Sequence, residues 1–242
     1  MRKLKIFISH AEISFNSAKK IKDESSIETE IIYIEDFIKE NKIDTIEDSD
    51  IIHFSCNSKL VYEILDKIKD KSCFIFNKEF LLKKYSKLDL QNEIMKIGIR
   101  VPKIYKEINK IKYPVFCKEN HHAGLILQVH SPGTLQRILE RFSDIDFYLE
   151  ENVAKGYKNV TEEKYYYSNG VLHSKTGVVH NPNILKISNL IKENFNVDIY
   201  SIDVIKNDSD TILIELDFFL LKVEEKILLK WLKKYKMRDC KC

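Results

Sequence analysis

Apolar and polar positions follow two regimes along the chain. Up to residue 76, β-rich runs at Lys5 to Ser9, Glu30 to Ile34, Ile51 to Ser55 and Cys73 to Phe76 alternate with helical patterns. The clearest helix is Ser58 to Lys69, with Leu60, Ile64, Leu65 and Ile68 on its apolar face. Strand-helix alternation of this kind predicts a small parallel α/β sheet. After Asn77 the pattern changes. Glu79 to Ile97 reads as a helix stopped by Gly98-Ile99-Arg100-Val101-Pro102, since glycine suits the position after a helix and proline cannot continue one. From Tyr113 onward strands are predicted at Pro114 to Lys118, Leu125 to His130, Phe147 to Val153, Glu163 to Ser168 and Val171 to Lys175, with a hairpin turn at Ser168-Asn169-Gly170. Helices intervene at Gly133 to Phe142 and Asn183 to Phe195, and strands Ile199 to Lys206 and Thr211 to Asp217 flank the turn Asn207-Asp208-Ser209-Asp210. Val223 to Met237 reads as a basic helix whose apolar face, Ile227, Leu228, Trp231 and Leu232, suits packing on the same chain or on a second copy.

Composition narrows the class. With 44% hydrophobic and 32% charged residues, 6 Gly and 4 Pro, the chain of 242 residues has the make-up of a globular protein with little disorder. Its net charge of +3 comes from lysines spread along the sequence, so no nucleic-acid arm is implied. The first apolar run stops at Ser9-His10, too short for a signal-peptide core, and no run reaches the roughly 20 apolar residues of a membrane helix. These features predict a cytoplasmic protein that engages neither membrane nor nucleic acid. Cys56, Cys73 and Cys117 lie in apolar runs and read as reduced core residues, whereas Cys240-Lys241-Cys242 offers two thiols, an incomplete zinc site. His53, His130, His173 and His180 show no metal-ligand spacing.

Three stretches carry candidate chemistry. Tyr113-Pro-Val-Phe-Cys-Lys118 is a core strand ending in a lysine, followed by a loop with one glycine, Gly124. A strand-end lysine presents a point charge to a phosphate, and small loop residues let backbone amides approach it; taken alone, such a lysine is as well read as solvated. Asp203 on one strand and Glu215 and Asp217 on its hairpin partner gather carboxylates on a sheet, with Glu215 and Asp217 necessarily on one face. Crowded like charges call for a cation, and hard oxygen ligands suit Mg²⁺ shared with phosphates; an acidic solvated sheet face is the alternative. Phe147-Tyr148-Leu149-Glu150-Glu151-Asn152-Val153 turns from apolar to acidic, as a strand running out of a core into a connector does. A parallel-sheet fold with a phosphate loop after its first strand is set aside, because Ser9-His10-Ala11-Glu12-Ile13 contains no glycine.

In this order the pieces resemble the ATP-grasp superfamily from about Asn77 to Asp217. Carrying the resemblance are Lys87 through Gly98-Ile99-Arg100-Val101-Pro102, Pro114 to Lys118, Glu150 to Val153, Ser201-Ile202-Asp203 and Glu215-Leu216-Asp217. It implies a mixed α+β and α/β fold in which two α+β lobes clamp ATP: a parallel pre-ATP-grasp domain over 1–76, a small lobe with its lead-in helix over 77–150, and a large lobe with the C-terminal helix over 151–242. It further implies that Lys118, with Lys87 and Gly124, contacts the phosphates, and that Glu150 or Glu151 with the backbone of Asn152 and Val153 receives adenine. Asp203, Glu215 and Asp217 would bind Mg²⁺, and Lys164 would reach the transferred phosphoryl group.

The activity this implies is that of a carboxylate–amine ligase, in which ATP converts a small-molecule or peptide carboxylate to an acyl phosphate and an amine displaces the phosphate. Two departures from the family bear on it. The loop Glu119 to Gly124 is glycine-poor and carries His121 and His122, and Phe218-Phe219-Leu220-Leu221 stands where a Pro-Gly loop commonly helps bind substrate. A nucleotide-binding protein without turnover and a small-molecule kinase, the latter suggested by Lys164-Tyr165-Tyr166-Tyr167, are the rival readings.

Overall fold

The computed structural model describes residues 2–10, 15–56, 58–121, 124–155, 159–168, 170–206, 210–218, 228–229 and 232. His122, Asn169, Asn207 to Ser209, Phe219 to Leu221, Trp231 and the Cys240/Cys242 pair lie outside them, as does most of the expected C-terminal helix. By packing, the chain divides into two compact units, each gathered from separate stretches: Met1–Lys84, Tyr165–Ser201 and Leu216–Cys242 in the first, Tyr85–Lys164 and Ile202–Glu215 in the second.

The first unit opens as the alternation predicts. Strands β1 (Lys3–Ile8), β2 (Glu28–Tyr33), β3 (Ile51–Phe54) and β4 (Phe74–Ile75) form a parallel sheet in the order β2-β1-β3-β4, with helices α1 (Phe15–Glu24), α2 (Ile34–Lys39) and α3 (Lys59–Ile68) in the connections. Parallel sheets are covered on both faces, and β1 shows how. Leu4, Ile6 and Ile8 join Ala18 and Ile21 of α1 in one core, to which Leu228, Leu229 and Leu232 also belong. On the opposite face, Phe7 meets Phe37 of α2 edge-on at 5.0 Å and stacks on Phe54 at 5.2 Å. Helix α3 starts where the Ser58 hydroxyl accepts from the Leu60 amide, and it buries Val61, Ile64, Leu65 and Ile68.

The predicted helix Glu79 to Ile97 is two helices, α4 (Lys78–Leu81) and α5 (Lys87–Lys96). Lys84 adopts φ 51°, and the Ser86 hydroxyl then caps α5 by accepting from the Asp89 amide while donating to the Asp89 carboxylate. The end of α5 is as expected: Gly98 at φ 82° donates to the Met95 carbonyl and Ile99 to that of Ile94, the two bonds of a left-handed helix stop.

In the second unit β5 (Ile104–Tyr105), β6 (Val115–Glu119), β7 (Ile126–Val129) and β8 (Phe147–Glu151) form an antiparallel sheet in the order β5-β8-β6-β7, with α6 (Pro132–Arg141) between β7 and β8. Val115, Cys117, Val129 and Leu135 form its core. A further sheet has the order β11-β10-β9-β12-β13, built from β9 (Thr161–Ser168), β10 (Val171–Ser174), β11 (Gly177–Val178), β12 (Ile199–Lys206) and β13 (Thr211–Asp217). Strands β9, β12 and β13 each contribute residues to both units. Helix α7 (Pro182–Phe195), capped by Asn181, buries Ile184, Ile187, Ser188, Ile191 and Phe195. Cys56, Cys73 and Cys117 are buried and free, and burial pushes the Cys117 thiol up to about 11. No helix among the described residues is long and apolar enough to cross a membrane.

Asn77 ties the first unit across a long stretch of sequence. At φ 56° and 1% exposure, its side chain donates to the carbonyls of Ile199 and Phe218 and accepts from the amides of Asp198 and Ile199. Asn77→Ala removes these bonds and places a Cβ-bearing residue with no local hydrogen bond in the left-handed region. It is expected to cost about 3–5 kcal/mol, a fall of about 10 °C in the thermal midpoint read by circular dichroism. Asn77→Gly, free of the backbone strain, is expected to retain about 1 kcal/mol more than the alanine variant.

Candidate functional site

The two faces of the antiparallel sheet in the second unit differ in chemistry, and β6 shows the division. Val115, Cys117 and Glu119 are buried while Phe116 and Lys118 are half-buried, the alternation of a strand whose successive side chains leave on opposite sides. Pairing with β8 places Glu150 opposite Phe116 and Tyr148 opposite Lys118, so these four side chains share the face turned away from the α6 core.

On that face the Lys118 Nζ lies 2.5 Å from the Glu150 Oε1, with the two side chains 13% and 3% exposed. Burial raises the Glu150 carboxyl above the usual range, against the opposing pull of Lys118 and of Gln91 on α5. Its second oxygen, Oε2, is buried and has no hydrogen-bond partner among the described residues. The Tyr148 phenol is held protonated, first by burial and then by the negative charges of Glu150, Glu215 and Glu119.

A second group lies where β9, β12 and β13 enter this unit. Lys164 on β9 donates to the Asp203 Oδ2 on β12 at 3.2 Å. Burial pushes Asp203 up to about 6 despite Lys164, and Glu215 on β13 pushes in the same direction as burial by charge and by hydrogen bonding. The Asp203 Oδ1 is buried without a partner among the described residues. Glu215 connects the groups, since its charge acts on Asp203, Glu150 and Tyr148 alike.

Two neighbouring carboxylates, one of them with a buried oxygen that has no partner among the described residues, fit a divalent cation held jointly with phosphates. Among the described residues no group of three or more His, Cys, Asp or Glu is arranged to hold a metal, so the three expected ligands do not form a complete cage. Asp217, on the same strand face as Glu215, falls in the first unit.

The remaining expected residues are placed as follows. Lys87 begins α5 and its ammonium lies 3.9 Å from Glu119, a residue directed to the other face of β6 from Lys118. Gly124 has φ 67°, a conformation that favours glycine, and supports the turn into β7. Glu151 is spent on Lys103, just before β5: its amide donates to the Lys103 carbonyl and its carboxylate accepts from the Lys103 amide, leaving Glu150 as the acid beside Lys118. Asn152 turns the chain, its Oδ1 accepting from the Ala154 amide, and Val153 is buried. Phe218 is buried with its ring stacked on Phe80 in the first unit.

No sequence-family model matches the chain, and no curated protein matches it by sequence. Solved structures do match. An ATP-grasp protein with a RimK domain from Sphaerobacter thermophilus superposes with a TM-score of 0.66 at 9% identity, over 95% of this chain and 97% of that one. The D-alanine–D-alanine ligase of Bacillus anthracis gives 0.65 at 14% identity over 98% and 93%. The ATP-grasp ligase PsnB, solved with a minimal precursor, Mg and ADP, gives 0.66 at 10% identity over 97% and 98%. The chain has the ATP-grasp fold. At such identities the likeness settles the architecture, and the chemistry of this ATP-grasp chain rests on its own residues.

Two residues of this candidate site escaped the sequence. Tyr148 was visible in principle, two positions before Glu150 on one strand and so on its face. Gln91, in the middle of a lysine-rich helix, carries no such mark.

Removing one member of the buried pair tests the electrostatics. Because burial holds the folded Glu150 pKa above its unfolded value, its contribution to stability falls as pH rises out of the ordinary carboxylate range. Lys118→Met leaves that charge unpaired, so it is expected to lose about 3–5 kcal/mol at pH 8, to recover toward pH 5, and to lose this pH dependence when Glu150→Gln is added, all read by urea unfolding.

Proposed function

We propose that this protein is an ATP-dependent ligase that joins a carboxylate to an amine through an acyl phosphate. The observation that carries the reading is one compact unit bearing both a cation–acid pair, Lys118 and Glu150, and the carboxylates Asp203 and Glu215 with Lys164. The first suits a nucleotide's base and inner phosphates, the second a metal and the outer phosphate. Residues 1–76 are then the domain that precedes the grasp, 77–150 the small lobe and 151–242 the large one.

The roles follow from what each group has to offer. Lys118 would neutralise the α- and β-phosphates, and the unpartnered Glu150 Oε2 would accept from the adenine amino group, with the backbone after β8 beside it. Asp203 and Glu215, with Asp217 as a further ligand, would hold Mg²⁺, which when bound supplies charge neutralisation on the phosphates. Lys164, which donates to the Asp203 Oδ2, would lend its ammonium to the transferred phosphoryl group. A substrate carboxylate oxygen attacks the γ-phosphorus and ADP leaves; the amine nitrogen then attacks the acyl carbon, loses a proton, and phosphate departs. No side-chain nucleophile is required. That the named neighbours include a D-alanine–D-alanine ligase and the ligase PsnB favours ligation over phosphoryl transfer to an alcohol.

Isothermal titration of ATP with and without Mg²⁺ tests the reading. Wild type is expected to bind in a Mg²⁺-dependent way that weakens as pH falls through about 6, where Asp203 takes up its proton. Lys118→Ala and the paired variant Asp203→Asn/Glu215→Gln, checked for cooperative unfolding, are expected to lose that binding by about a hundredfold. ADP release on adding carboxylate–amine pairs identifies the ligase. Binding without ADP release across such a screen identifies a non-catalytic nucleotide binder instead.

A further inference from the structure

Lys118 and Glu150, assigned above to the nucleotide, and Gln91, which acts on the Glu150 carboxyl, stand on three elements: β6, β8 and α5. One residue, through its backbone and its side chain, joins the ends of all three. Asn120, 9% exposed and next in sequence to the last residue of β6, makes four hydrogen bonds of good length. Its amide donates to the Asp146 carbonyl at 2.9 Å and its Nδ2 to the Asp146 Oδ2 at 2.8 Å, just before β8. Its carbonyl accepts from the Lys87 amide and its Oδ1 from the Leu88 amide, both at 2.9 Å. Those two amides lie in the first turn of α5, where no intrahelical acceptor exists.

The neighbouring contacts fix the entrance to the glycine-poor loop. The Glu119 amide donates to the Leu125 carbonyl, the Asn120 amide to Asp146, and the His121 amide to the Glu119 carboxylate. Three successive amides at the loop entrance are thus taken up within the protein. What this entrance presents to a phosphate is the Lys118 ammonium, whose placement depends on how the end of β6 is held.

We infer that Asn120 is a positioning residue of the nucleotide site, setting the spacing of Gln91, Lys118 and Glu150 by binding the ends of α5, β6 and β8 together. The inference rests on the nucleotide reading above. Asn120 reaches the ligand only through those three groups, so its loss acts on affinity through their geometry.

A swap of the two partners tests it. Asn120→Asp keeps the acceptor for Leu88 but sets a carboxylate against the Asp146 carboxylate. Asp146→Asn preserves a bond, because Asn120 then donates to the new amide's oxygen. Asn120→Asp/Asp146→Asn restores the contact with donor and acceptor exchanged. By titration calorimetry Asn120→Asp is expected to raise the Kd for ATP about tenfold or more, and the paired swap to return it to within about twofold of wild type. Should Asn120→Asp not unfold cooperatively, Asn120→Ser takes its place with the same weakening expected. Leu135→Ala, in the core on the other face of the sheet, is the control: it lowers the thermal midpoint and leaves the Kd within about twofold. An unchanged Kd in Asn120→Asp, or a folded swap variant that binds no better than Asn120→Asp, overturns the inference while ATP binding by wild type stands. Absence of ATP binding in wild type itself overturns the nucleotide reading, and the inference with it.

Discussion

The Lys118–Glu150 pair is the interaction to which the candidate site is subordinate. Two charges withdrawn from water lose several kcal/mol of hydration each, and only close approach with further hydrogen bonding compensates. Here the β6–β8 register sets the approach and Gln91 assists the carboxylate. Such pairs add little to stability but specify geometry, because any slip in register leaves a bare charge in the interior. Beyond the pair, Glu215 and Asp203 add two more acids against one further cation, Lys164. The five groups together favour a bound positive charge, which is the condition for holding Mg²⁺ with phosphates.

Much of the architecture was legible in the chain. Strands Ile199–Lys206 and Thr211–Asp217 lie where the apolar pattern placed them, and Gly98 stops α5 by the bonds its position implied. What failed did so for local reasons. The apolar period runs unbroken past residues 82–86, but a serine three residues before an aspartate is a strong enough cap to start a new helix there. Strands β5 and β11, of two residues each, are too short to display a period and exist because neighbouring strands template them.

The site was legible where chemistry depends on residue type and hidden where it depends on neighbours. Lysine at a strand end and carboxylates two apart on a strand can be read directly. That Glu150 and not Glu151 faces Lys118 follows from strand alternation once the register is known, and the register comes from pairing between distant segments. Lys87 stands in a helix crowded with lysines, where type alone cannot show that its partner is Glu119. Asn120 had no motif at all; its importance is a matter of having four partners within reach.

The core of the first unit has a consequence for biosynthesis. Leu4, Ile6 and Ile8 belong to the same cluster as Ile199, Leu228, Leu229 and Leu232, and Asn77 bonds to residues 198, 199 and 218. A nascent chain therefore displays a finished run of parallel strands with one greasy side covered only in part, by α1, for as long as more than a hundred further residues take to emerge. At about 5–20 residues per second that interval lasts roughly 6 to 30 seconds, long enough to make the emerging sheet a client for chaperones and to make early termination products sticky.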